Sequence, residues 1–171
     1  RVVSAAILAP LVALVVYLGG WWFFVAVLLL AGAAVHEFVQ LMRKGGYRPS
    51  LPVSVVAAMA LVITSRDPAT SFVGPVITGA LLAALIWHLI DYERGADTSA
   101  FDWGLTIGAS LYIGWMSRVL VQLRDLPRGV EWVLLAFIPV WVADSAAYFV
   151  GVKWGRHKCY PRLSPKKSWE G

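Results

Sequence analysis

Apolar residues along this chain neither alternate with polar ones nor keep to one helical stripe; they run on in stretches near the ~20 residues that a bilayer helix needs. Six such stretches are expected as helices, at about 2–18, 21–42, 51–65, 69–90, 103–123 and 132–151. The third is short and bounded by Pro49, Pro52 and Pro68, so a tilted or re-entrant element is the alternative to a full span there. The pattern predicts an all-α fold: a polytopic integral membrane helix bundle over 1–151 with about six transmembrane helices, and a polar loop over 152–171.

The first run starts at Arg1, as a cleaved leader would. A second apolar run follows after only Gly19-Gly20, with no small-residue cleavage site between them, which fits a helical hairpin of the mature protein. The chain has no initiator Met and stops at Gly171 inside a basic run, so truncation is expected.

Charge adds an orientation. Arg43, Lys44 and Arg48 lie between the second and third spans, and Lys153, Arg156, Lys158, Arg162, Lys166 and Lys167 follow the sixth. Basic loops stay on the cytoplasmic side, and the four intervening spans return the chain to the same face. The same scheme places the acidic loop Asp91 to Asp102 there, along with Cys159. Residues 1–151 hold nine basic and nine acidic residues, whereas 152–171 hold six and one, so the whole net charge of +5 belongs to the tail. Attraction to anionic headgroups accounts for such a tail at about 1 kcal/mol per cation. Trp21, Trp22, Trp103, Trp132 and Trp154 lie near span ends, as interfacial anchors do.

Composition excludes several classes. A hydrophobic fraction of 59% and a mean hydropathy of +0.70 leave too little polar surface to clothe a soluble core. The single Cys159 forms no internal disulfide, no Cys/His spacing suits zinc, and His36-Glu37 lacks the second His of a zincin helix. There is no Asn and hence no glycosylation sequon. Cations that emerge in a short segment from a membrane helix are poorly placed for nucleic acid.

Asp144 is the residue hardest to explain structurally, because Trp141-Val142-Ala143 precede it and Ser145-Ala146-Ala147-Tyr148 follow. A carboxylate at that depth costs roughly 2.5–3.5 kcal/mol and normally faces a partner, an ion or a water-filled cavity. Tyr148, four residues on, shares its helix face. Glu37 sits close to the basic end of its span and Arg118 is placed to snorkel to the outer interface, so structural roles explain both. His36 and His88 have no ligand set around them. The tail interleaves Lys, Ser, Gly and Trp, a mixture suited to phosphates: ammonium groups give charge, hydroxyls and amides give direction, and glycine permits close approach.

The run from Trp141 to Gly151, then Gly155-Arg156-His157-Lys158, then Leu163-Ser164-Pro165-Lys166-Lys167-Ser168-Trp169-Glu170-Gly171, resembles the phosphatidate cytidylyltransferase family. The paired motifs are far more specific than either alone, and the upstream region fits loosely. The compact layout fits a bacterial inner membrane, and the resemblance implies a multi-pass enzyme with a cytoplasmic active site. Its substrates would be CTP and phosphatidic acid, its cofactor Mg²⁺, its surroundings membrane lipids, with a homodimer among the assemblies allowed. It implies Asp144 as metal-binding or catalytic carboxylate and Lys167 as a catalytic cation. Ser164, Lys166, Ser168 and Tyr148 would contact substrate, and Glu170 would orient a lysine. The family's Lys-Asp pair, His-Gly-Gly turn and closing Asp-Arg-x-Asp are absent here, so residues 1–171 by themselves are expected to be inactive. A polyprenol kinase or isoprenoid-lipid cytidylyltransferase would use related chemistry. A secondary transporter would use Asp144 and Glu37 as ion sites, but no internal repeat relates the two halves of the chain, and a carrier has no need of the basic tail.

Overall fold

The computed structural model describes residues 2–67, 69, 72–161 and 164–171, with side chains from residue 10 onward. Arg1, Pro68, Arg162 and Leu163, which the sequence reading invoked, lie outside the described residues. Six α-helices are found among those described: α1 (Val2–Leu18), α2 (Gly20–Lys44), α3 (Leu51–Ile63, extended by a 3-10 turn Thr64–Arg66), α4 (Val73–Glu93), α5 (Ser99–Asp125) and α6 (Gly129–Trp154). A two-stranded hairpin follows, β1 (Lys158–Tyr160) and β2 (Ser164–Ser168). The chain forms two compact units, Arg1–Gly129 and Val130–Gly171. Helices α2, α4, α5 and α6 are each long and apolar enough to cross a membrane, so the fold is an all-α membrane helix bundle.

In the first unit the short helix is the central one. Helix α3 packs on α2, α4 and α5, burying Ser54, Ala57, Ala58, Leu61 and Val62. Its approach to α5 depends on Gly114, where a Cβ would meet the Ala58 Cα at 2.8 Å. Small residues that let backbones touch are the usual means by which membrane helices associate. The Ser50 amide donates to Thr106 Oγ1 (2.9 Å), and Arg118 Nε donates to Thr64 Oγ1 (3.0 Å). Thr106 and Arg118 are about 18 Å apart along the axis of α5, so α3 climbs alongside α5 in the same direction. A re-entrant turn would have returned both ends of α3 to one end of the bundle.

Both ends of the bundle are pinned by polar groups that the apolar pattern does not reveal. Asp102, expected in an acidic loop, is 1% exposed; it accepts the Arg48 amide (2.6 Å) and the Thr98 hydroxyl (2.8 Å), tying the α2–α3 connection to α5. His88 is buried as well, with Nε2 2.8 Å from Thr106 Oγ1. At the other end Arg118 does not snorkel. It is 5% exposed, held by Thr64 and by Gln122 Oε1, because the bundle offers it oxygens that lipid lacks. Arg124 caps α1 by donating to the Val16 and Tyr17 carbonyls. Gly19 permits that contact: its φ is 62°, and any Cβ there would collide with the guanidinium. Arg66 pairs with Asp125 at 3.2 Å and lies over the rings of Trp21 and Phe24.

Candidate active site

The second unit is built on α6, whose side chains are apolar on nearly every face. Pro139 withholds one amide from the helix ladder, a defect that membrane helices tolerate. Asp144 lies one and a half turns beyond it. The carboxylate is exposed and has no hydrogen-bond or ion-pair partner among the described residues. Tyr148, also exposed, stacks edge-on against Phe149.

After α6 the chain turns back on the helix that carried it. A Cβ at Gly155 would strike the Gly151 carbonyl and come within 2.5 Å of Ser168 Oγ, and one at Gly171 would come within 2.6 Å of the Ala147 carbonyl oxygen. Gly151, Gly155 and Gly171 therefore form a seam on which Ser168 and the end of the motif seat against α6. Gly171 reaches the turn of α6 that carries Asp144 and Tyr148. Ser168 Oγ also accepts the Gly171 amide (3.4 Å).

The hairpin is antiparallel with an interrupted ladder. Lys158 is opposite Ser168 and Tyr160 is opposite Ser164, so Cys159 alone faces Pro165, Lys166 and Lys167. Those three residues bulge out of the ladder. Proline, which has no amide to donate, is tolerated in a strand at such a place. Lys166 and Lys167 are exposed, and neither makes an ion pair among the described residues. Ser164 and Ser168 flank the bulge, half-buried.

Among the described residues Glu170 is bonded to the Arg156–His157 segment and to no lysine. Its carboxylate accepts the amides of Arg156 (3.2 Å) and His157 (3.3 Å) and lies 2.7 Å from His157 Nδ1. Its own backbone amide, then the His157 ring, then the two amides hold its carboxyl down from 4.5 to about 2. A depressed carboxylate steadies the folded form above its ordinary pKa and ceases to do so as pH falls through the lowered value. The hairpin is thus expected to stay closed at pH 5 and to open only as pH falls from about 4.5 toward about 2. Following the Glu170 side chain by NMR checks this, and titration at its ordinary value would contradict it.

Of the residues singled out from sequence, Ser168 and Gly171 meet α6, Asp144 and Tyr148 lie on it, and Ser164, Lys166 and Lys167 sit on the far strand. A Mg²⁺ ion is commonly held by one or two carboxylates together with substrate phosphates. Asp144 is an unpartnered carboxylate of the kind required. Among the described residues no three His, Cys, Asp or Glu side chains cluster.

The chain matches the model of the cytidylyltransferase family over residues 1–171. It is 29% identical over 149 residues to a phosphatidate cytidylyltransferase of Mycobacterium bovis, covering 81% of this chain and 48% of that protein. It is 29% identical over 171 residues to the phosphatidate cytidylyltransferase of Staphylococcus saprophyticus, covering 96% and 64%. A stretch of 48 residues, 28% of this chain and 17% of the relative, is 54% identical to the Haemophilus influenzae phosphatidate cytidylyltransferase. The chain spans about half the length of the mycobacterial relatives it matches. No solved structure matches it.

Proposed function

This chain belongs to the cytidylyltransferase family, and on that premise we propose that the whole protein transfers CMP from CTP to phosphatidic acid, giving CDP-diacylglycerol and pyrophosphate. The observation that carries this reading is the second unit: a carboxylate on an apolar helix and two lysines in a bulge, all without a partner among the described residues, with Ser168 at the end of the bulge seated on the same helix through a glycine seam.

In the reaction a phosphate oxygen of phosphatidic acid attacks the α-phosphorus of CTP. The bond to the bridging oxygen between the α- and β-phosphorus breaks, and pyrophosphate leaves with that oxygen. Phosphorus transfer of this kind is limited by positioning and by charge more than by covalent chemistry. Lys166 and Lys167 bring two ammonium charges toward the triphosphate, where such groups are strongest. Ser164 and Ser168 flank them with hydroxyl donors. Asp144 would hold Mg²⁺, which supplies neutralisation of the phosphate oxygens. Tyr148, one turn along, borders the same ground and offers its hydroxyl.

The setting proposed is a bacterial inner membrane, with the hairpin on the cytoplasmic side where CTP is found. The lipid arrives from the leaflet and the nucleotide from water, and a hairpin at the end of a membrane helix serves both. Offering the whole protein labelled CTP with phosphatidic acid, a polyprenol or an isoprenoid phosphate as acceptor tests the assignment. Product is expected from phosphatidic acid. Product from a polyprenol or isoprenoid acceptor alone would transfer the reading to a sister enzyme of the same chemistry.

A further inference from the structure

We propose that His157 is a positioning residue: by holding Glu170 it fixes the lysine-bearing bulge in the shape that receives the nucleotide. The inference rests on the reading of the hairpin as a triphosphate site and adds a residue to it. His157 engages Trp169 and Glu170, just beyond the end of β2, through three groups. Its ring Nδ1 lies 2.7 Å from Glu170 Oε1, its amide donates to the same carboxylate at 3.3 Å, and its carbonyl accepts the Trp169 amide at 2.9 Å. A carboxylate only accepts, so Nδ1 carries the proton.

The ring is not a packing element, since its side chain is 80% exposed and Glu170 is the one group it is bonded to among the described residues. A solvated ring kept on one carboxylate restrains; it does not fill space. The restraint falls where the hairpin needs it. Lys158–Ser168 and Tyr160–Ser164 are its two ladder positions, with the bulge between them. Two-stranded ribbons are marginal in water even without an interruption. The Arg156–His157 side clasping Trp169–Glu170 closes the open end next to Lys158–Ser168, and Ser168 is in turn seated on Gly151 and Gly155. Releasing the clasp frees the bulge at that end, and the lysines lose their common geometry.

The test uses the whole protein with three substitutions. His157→Asn retains a donor near the position of Nδ1, His157→Gln places one near Nε2, and His157→Ala has neither. Because a hydrogen bond to a charged group is among the stronger ones, His157→Ala is expected to raise KM for CTP about 10-fold with kcat within about twofold. His157→Asn is expected to return KM to within about threefold of the parent, and His157→Gln to resemble His157→Ala. Amide exchange over residues 158–168, measured without substrate, should quicken in His157→Ala and be restored in His157→Asn. An unchanged KM in His157→Ala overturns the proposal. So does a loss confined to kcat, or rescue by Gln and not Asn, since either would place the ring on the reacting groups. If the parent makes no CDP-diacylglycerol, the transfer reading fails and exchange alone decides: quickening in Ala that Asn reverses sustains the clasp, and equal exchange in all three variants removes it.

Discussion

Replacing Asp144 by Asn is expected to lower CMP transfer by the whole protein about 10²- to 10³-fold, the scale on which one well-placed electrostatic contact acts, while the protein stays folded. The substitution keeps shape and removes charge. Asp144 has no partner among the described residues and sits in an apolar run, so its ionised form is a cost of roughly 2.5–3.5 kcal/mol to the inserted helix. Asn lowers that cost. Activity and stability should therefore move in opposite senses, with turnover collapsing while the melting temperature in detergent holds or rises. A structural ion pair would give the reverse, because removing one member strands the other. Turnover and melting measured on one preparation separate the two cases, and an active Asp144→Asn enzyme would remove this residue from the site.

Lys167→Ala is expected to cost about 10² in kcat/KM, again on the scale of a single electrostatic contact, with no change in the yield of folded protein. Lys167 is exposed in the bulge and makes no ion pair among the described residues, so no described contact of the fold depends on its charge. Lys167→Arg should recover only part of the loss, since a planar fork does not replace a point charge on a short bulge. The kinetic constants of the two variants check this. Equal activity in the parent and Lys167→Ala would assign the phosphate contact to Lys166 or Lys158.

Apolar run lengths revealed the helical membrane bundle because a spanning helix must satisfy its backbone internally, whatever its neighbours. They said less about α3, whose 13 residues read as a weak span although it is the element most enclosed by others. That centrality comes from Ala58 against Gly114, a contact between segments far apart in sequence. The polar pins are hidden for the same reason: Arg48 to Asp102 and Ser50 to Thr106 are separated by 54 and 56 residues, and no local period marks them. Asp102 and His88 could be noticed as polar residues at helix ends, but not paired.

The candidate site is more legible on α6 than in the hairpin. A lone carboxylate in an apolar run is conspicuous by its cost, so Asp144 stood out without a structure. The hairpin motif suggested phosphate chemistry but not geometry. Pro165 is a signal of limited reach, since proline in a strand marks an edge, a strand start or a bulge without choosing among them. The orienting of a lysine by Glu170 is what the family resemblance implies, and no local pattern marks the alternative. The structure gives Glu170 to His157 and two amides, where backbone donors at the base of the hairpin are already converging.

The reading of the whole protein as a nucleotidyltransferase is tested most directly by following two labels in CTP, one at the α-phosphorus and one at the γ-phosphorus, during reaction with phosphatidic acid. The account predicts the α label in the lipid and the γ label in pyrophosphate. Recovery of the γ label in the lipid would show a kinase and contradict it.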